Sequence, residues 1–162
     1  MLASPLEMAT VAATVGEDGR RAEPTFLLGG GSPGGQAMSA AAARTVRHLM
    51  IGVVRFGTGT SAAIPGVLVA GKTGTAELKT VCSSSSSSGD EAEASQRSGE
   101  SSSACVGPAS EASNTDAWFA AFAPALHPRI AVCVLLVKDG AGGTTAAPVA
   151  REVLEAGLSA TR

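Results

Sequence analysis

Lys72, Thr73, Gly74 and Thr75 follow one another in the run Gly71-Lys-Thr-Gly-Thr-Ala76, and a cation beside two hydroxyls spaced by one residue is chemistry for gripping an anion. If the run is a strand, alternation sends Thr73 and Thr75 to one face and Lys72 and Gly74 to the other. Two hydroxyls on one face can hold a carboxylate, the lysine adds positive charge, and Gly74 lets another backbone or a substrate come close. The same lysine also completes the pattern G-x-x-x-x-G-K-[ST] over Gly66 to Thr73, the signature of a phosphate-binding loop, and Val132 to Val137 followed by Lys138-Asp139 could serve as its acidic strand. That loop requires a buried strand before its first glycine and a helix directly after the lysine. Thr60 to Pro65 makes a poor strand, Val67 to Ala70 looks like strand where loop is needed, and Ala76 to Ser88 drifts into serine. The strand reading therefore leads, with a nucleotide-binding protein as the alternative.

The elements around this run are readable in outline. Ser4-Pro5-Leu6-Glu7 starts a helix, with Ser4 as N-cap, Pro5 at the first helical position and Glu7 completing a capping box, and the helix should reach about Val15. Gly16 to Gly19 is turn chemistry. Arg20 to Leu28 reads as an extended segment bent at Pro24, ahead of a glycine-rich loop from Gly29 to Gly35. A second helix is expected from near Ser39 to Phe56, with Val46, Leu49, Met50, Val53 and Val54 forming its apolar face, Arg44, His48 and Arg55 opposite, and Gly57 as its stop. Three strand candidates follow, Val67 to Glu77, Asp116 to Ala123 and Arg129 to Lys138. The last two are joined through Pro124 and Pro128, and short joints imply antiparallel neighbours. Thr144 or Thr145 should cap a final helix with Pro148 in its first turn and Val149, Val153, Leu154 and Gly157 toward the sheet. The fold class is α+β: an antiparallel sheet of three late strands, helices before it and a C-terminal helix packed on it.

Lys79 to Ser113 interrupts this order. It contains six consecutive serines and five acidic residues, with almost nothing large enough to bury, so it reads as a disordered insertion in the loop between two strands. The 162 residues, 44% of them apolar, suffice for one core and not for two domains. A net charge of -2 with scattered Lys and Arg argues against a nucleic-acid partner. The apolar run Ile130 to Val137 is too short to span a bilayer, and no signal segment is visible in the chain. No metal site or cofactor is expected, since His48 and His127 stand alone and the cysteine spacing fits no zinc pattern. Cys133, inside an apolar run, reads as a small buried thiol. Cys82 and Cys105 bracket the serine-rich segment and could form a disulfide in a chain that matures outside the cytoplasm.

Lys72-Thr73-Gly74 resembles the K-T-G motif of penicillin-binding proteins and serine β-lactamases, whose other motifs are S-x-x-K and S-D-N. The flanks extend the resemblance. Gly57-Thr58-Gly59 leads to Val69-Ala-Gly-Lys-Thr-Gly-Thr-Ala-Glu77, then Asp116-Ala-Trp-Phe-Ala-Ala-Phe-Ala-Pro124, then Arg129-Ile-Ala-Val, and Ser4 to Thr10 resembles the helix that precedes them. The chain is thus similar to the C-terminal part of one penicillin-binding transpeptidase domain over residues 1–162, with 79–113 as the insertion.

That resemblance implies a peptidoglycan D,D-transpeptidase acting by acyl transfer from stem peptides ending in D-Ala-D-Ala, and binding β-lactams. It implies that Thr73, Gly74 and Thr75 bind the substrate, that the Thr75 backbone N–H forms half of an oxyanion hole, and that Lys72 supports proton traffic. Trp118 is read as a core residue of the second strand rather than a substrate contact. The lysines Lys72, Lys79 and Lys138 are preceded three places earlier by Val69, Ala76 and Leu135, so S-x-x-K is absent, and Ala112 stands two places before the sole asparagine, Asn114, so S-x-N is absent too. The upstream part of the domain is therefore required for the nucleophile, and the chain alone is expected to be inactive. The implied location is the outer face of the cytoplasmic membrane. A β-lactamase and a non-catalytic, penicillin-recognising sensor module remain alternatives.

Overall fold

The computed structural model describes residues 3–21, 23–25, 34–78 and 114–160. The serine-rich segment with Cys82 and Cys105, and the glycine-rich loop up to residue 33, lie outside the described residues. In order, the elements are α1 (Pro5–Gly16), α2 (Ala40–Phe56), a single 3-10 turn (Thr60–Ala62), β1 (Ala70–Glu77), β2 (Thr115–Ala123), β3 (Ile130–Leu136) and α3 (Ala146–Ala160). The three strands form one antiparallel sheet in the order β1-β2-β3. This is the expected α+β architecture.

The α1 start follows its sequence signal closely. Ser4 Oγ accepts from the Glu7 N–H at 3.2 Å, and a Glu7 carboxylate oxygen accepts from the Ser4 N–H at 2.7 Å, closing the capping box. The chain then turns through Asp18 and Gly19, both at positive φ. The Asp18 carboxylate pairs with Arg47 of α2, an ion pair that ties the turn to the second helix. Ser39 caps α2 and Gly57 ends it, its N–H donating to Val53 O at 3.1 Å.

Residues of β2 alternate between two cores. Ala117, Phe119, Ala121 and Ala123 face α3 and pack with Ala150, Leu154 and Leu158, while Phe122 faces α1 and packs with Ala12 and Val15. The sheet is thus sandwiched between α1 and α3. α2 stands at the β1 side, contributing Val54 to the first core and Met50 to the second.

Two helix faces differ from expectation. α2 buries Ala43, Arg47, Met50 and Val54, whereas Val46 and Leu49 are exposed, Leu49 to 67%. α3 buries Ala146, Ala147, Ala150, Leu154 and Leu158 and leaves Val149 and Val153 at the surface. In α3 three alanines lie in the contact and let the helix approach the sheet closely, whereas α2 makes its contact with one alanine beside Arg47, Met50 and Val54. Gly157 does meet the sheet as expected, for a Cβ there would collide with Ile130. Thr144 and Thr145, expected as caps, direct their hydroxyl protons back to Ala141 O and, for Thr145, to Asp139 O at 2.8 Å.

Candidate functional site

Among the described residues β1 is one of the two edge strands, paired with β2 on one side only. Its register sets which backbone groups are free. Leu78 N–H donates to Asn114 O at 2.9 Å, and the partners run Ala76 with Asp116, Gly74 with Trp118 and Lys72 with Ala120. Hydrogen-bonded and non-bonded pairs alternate in an antiparallel ladder, so these even positions bond inward to β2. The N–H and C=O groups of Thr73 and Thr75 consequently point outward from the free edge. Lys72 Nζ uses one of them, donating to Thr73 O at 2.6 Å. Among the described residues Lys72 makes no ion pair.

The two faces of β1 meet different surroundings. On the Lys72 and Gly74 face lies a cavity of about 370 Å³ bordered by Ala3 and Met8 of the α1 end, Trp118 and Ala120 of β2, and Cys133 of β3. A Cβ on Gly74 would stand 3.1 Å from Trp118 Cβ and narrow that space. On the other face Thr73 Oγ1 lies 2.7 Å from Thr58 Oγ1, and Gly142 and Gly143, from the loop between β3 and α3, sit over the strand. Thr75 is exposed.

Structure and sequence agree on the alternation of Lys72, Thr73, Gly74 and Thr75. The strand also runs unbroken through Lys72 to Glu77, where a phosphate loop would need a helix, and that overturns the nucleotide alternative. Two side chains differ from expectation. Trp118 is half-buried and lines the cavity instead of filling a core, because its even position places it on the face that α1 covers only in part. Cys133 is likewise half-buried on that cavity, and loss of water around it pushes its thiol above the ordinary value. Thr58 enters the sequence reading only within the flank Gly57-Thr58-Gly59, with no role of its own. A hydroxyl between two glycines has no periodicity to betray it, and its partner is fifteen residues further on.

The sheet, the edge strand with its lysine and hydroxyls, and the helices on both faces define a transpeptidase-like domain. The penicillin binding protein transpeptidase domain model matches residues 1–155, and the chain belongs to that family. The peptidoglycan D,D-transpeptidase PbpA of Mycobacterium tuberculosis is 32% identical, over 96% of this chain and 29% of the relative. The D,D-transpeptidase domain of a peptidoglycan glycosyltransferase from Eggerthella lenta superposes with a TM-score of 0.67 at 31% identity, over 98% of this chain and 33% of that one. The imipenem acyl-enzyme complex of M. tuberculosis penicillin-binding protein A gives 0.65 at 29% identity, over 96% of this chain and 31% of that one. The chain therefore spans about 29% of the length of the curated relatives it matches.

Proposed function

We propose that this chain supplies the substrate-gripping strand of a peptidoglycan D,D-transpeptidase, the part that holds the carboxylate of a D-Ala-D-Ala stem peptide or of a β-lactam. The observation that carries it is the free edge of β1, where outward backbone groups of Thr73 and Thr75 stand beside the Lys72 ammonium. Thr73 and Thr75 hydroxyls donate to the carboxylate, and the cation attracts it. The Thr75 N–H, aimed off the edge, donates to the oxygen that becomes negative when the carbonyl is attacked. Lys72, on the cavity face, supports movement of the proton released by the nucleophile.

The nucleophile itself comes from an S-x-x-K segment, which this chain lacks. Its seat is the cavity over Lys72, Trp118 and Cys133, where an apolar helix could cover the open sheet face and bring a serine to the lysine. Acyl transfer then breaks the amide bond between the two D-alanines, releases the terminal D-alanine with a proton on its amine, and leaves a serine ester that a second peptide's amine resolves into a cross-link, freeing the serine hydroxyl. Cell-wall cross-linking places the work at the outer face of the cytoplasmic membrane. Among the described residues no helix is long and apolar enough to cross a membrane.

The test joins the chain to an S-x-x-K-bearing upstream half and measures acylation by a fluorescent penicillin. Thr73→Val and Thr75→Val should each slow acylation about ten- to a hundredfold, the loss of a hydrogen bond to a charged group. Lys72→Ala should cost more. Unchanged rates in all three variants would sink the assignment of β1 as the gripping edge.

A further inference from the structure

Thr58 occupies a place the transpeptidase reading has not used. It is the middle residue of Gly57-Thr58-Gly59, directly after α2, and its hydroxyl oxygen stands 2.7 Å from that of Thr73. The segment is anchored firmly. Gly57 and Gly59 both donate their N–H groups to Val53 O, at 3.1 and 3.0 Å. Neither glycine has room for a side chain: a Cβ on Gly57 would lie 2.8 Å from Val53 Cα, and one on Gly59 would lie 3.0 Å from Phe119 Cε2. From above, Gly143 presses on the Thr58 carbonyl so closely that a Cβ would collide with it, and the same Cβ would lie 3.5 Å from Thr73 Cγ2. Thr58 is therefore the single side chain that this packed turn presents to the strand.

We infer that Thr58 is a positioning residue for carboxylate recognition: it holds Thr73 in one rotamer and donates to it, so that the only hydroxyl proton of Thr73 is left for the ligand. The inference rests on the reading of β1 as the gripping edge. Its chemistry follows from proton counting. A threonine hydroxyl has one proton and two acceptor lone pairs, and a carboxylate only accepts. When Thr73 donates to a carboxylate it has no proton left for Thr58, so Thr58 must be the donor between them. A chain Thr58 O–H to Thr73 O–H to carboxylate then polarises the terminal bond and strengthens it. Without Thr58, Thr73 is free to turn about χ1 and must be ordered when the ligand binds.

The experiment uses the chain joined to its S-x-x-K-bearing upstream half, with residues 1–162 isotopically labelled, and N-acetyl-D-alanyl-D-alanine as the probe. Thr73 χ1 is measured from three-bond couplings without ligand, and affinity from amide shifts of residues 70–77. We expect one Thr73 rotamer in the parent chain and in Thr58→Ser, and averaging in Thr58→Val. Thr58→Val and Gly143→Ala should bind the dipeptide about three- to tenfold more weakly, with Thr58→Ser close to the parent. Amide shifts elsewhere in the sheet report that the variants remain folded. A fixed Thr73 rotamer in Thr58→Val overturns the inference whether or not ligand binds. Binding by the parent that is unchanged in Thr58→Val overturns it while the function stands. Absence of binding by the parent, with the rotamer averaging as expected, leaves the positioning contact intact and defeats the substrate assignment instead.

Discussion

The two faces of the sheet differ along their length. Toward α3, Thr115, Ala117, Phe119, Ala121 and Ala123 of β2 are all buried, and the loop with Gly142 and Gly143 closes over the end of that face. Toward α1, Phe122 is buried beneath Ala12 and Val15, but Trp118 and Ala120 are only half covered and open onto the cavity with Lys72. One face is a finished core. The other is finished only at one end, and its open end is where the lysine lies. A site that must admit a reacting group needs room beside its charged side chain, whereas the side that sets hydroxyl geometry needs rigidity. β1 separates the two requirements by alternation.

The largest expected effect breaks this contrast at its closed face. Phe119 is fully buried and touches the spaces of Gly59 and Gly71, so Phe119→Ala should cost about 3–5 kcal/mol in denaturant unfolding. Trp118→Ala, one residue away on the open face, should cost roughly half of that or less despite the larger ring. Equal losses would mean that both faces are cores of one kind.

A smaller effect comes from adding a methyl group on each side of β1. A Cβ on Gly142 would collide with Trp118 O and Gly74 O, both backbone atoms of a paired ladder that cannot yield without distorting it. Gly142→Ala should therefore cost about 1–3 kcal/mol. On the cavity face the Cβ of Gly74→Ala would meet Trp118 Cβ at 3.1 Å, a contact that a shift of a few tenths of an ångström relieves. Its stability cost should be below about 1 kcal/mol. If Gly74→Ala proves the more damaging in thermal unfolding, the open face is tighter than its cavity implies.

Legibility in the sequence followed the kind of signal. Ser4-Pro-Leu-Glu7 gave the start of α1 because capping is local chemistry, and the alternation of Lys72 to Thr75 gave the faces of β1 because a strand has period two. The inward faces of α2 and α3 are legible only in part: Met50, Val54 and Leu154 are buried as expected, but large apolar residues give no sign of which alanines share the contact. Ala43, Ala146, Ala147 and Ala150 are each fully buried, and Arg47 is buried through its pair with Asp18. Val46 and Leu49 of α2 are apolar yet exposed, and nothing in their spacing distinguishes them from Met50 and Val54. The Thr58 contact depends on how the turn after α2 packs under the β3–α3 loop, a long-range fact that no window of sequence contains.

A further effect, of about the size expected for Gly74→Ala, concerns the rim of the open face, which α1 supplies through Ala3 and Met8 beside its cap. Ser4→Ala removes the side-chain oxygen that accepts from the Glu7 N–H and should cost about 1 kcal/mol. Glu7 adds a pH dependence. Its carboxylate accepts from the Ser4 backbone N–H and then from the Ser4 hydroxyl, and both bonds hold its pKa below the ordinary carboxylate value. A lowered folded pKa means that the contribution is fully present above the unfolded carboxylate pKa and is lost as pH falls through the depressed folded value. Glu7→Gln keeps the length of the side chain and has no proton to gain in that range. Its stability should therefore lack the acid-range decline that Glu7 contributes in the parent chain, as measured by unfolding midpoints from neutral to acidic pH. Because the capped end of α1 borders the cavity and α3 packs on the opposite face of the sheet, the same substitution should loosen the amides around Met8 and Cys133 in hydrogen exchange and leave those of α3 unchanged. Matching changes on both faces would show that the cap supports the whole sheet rather than its open end.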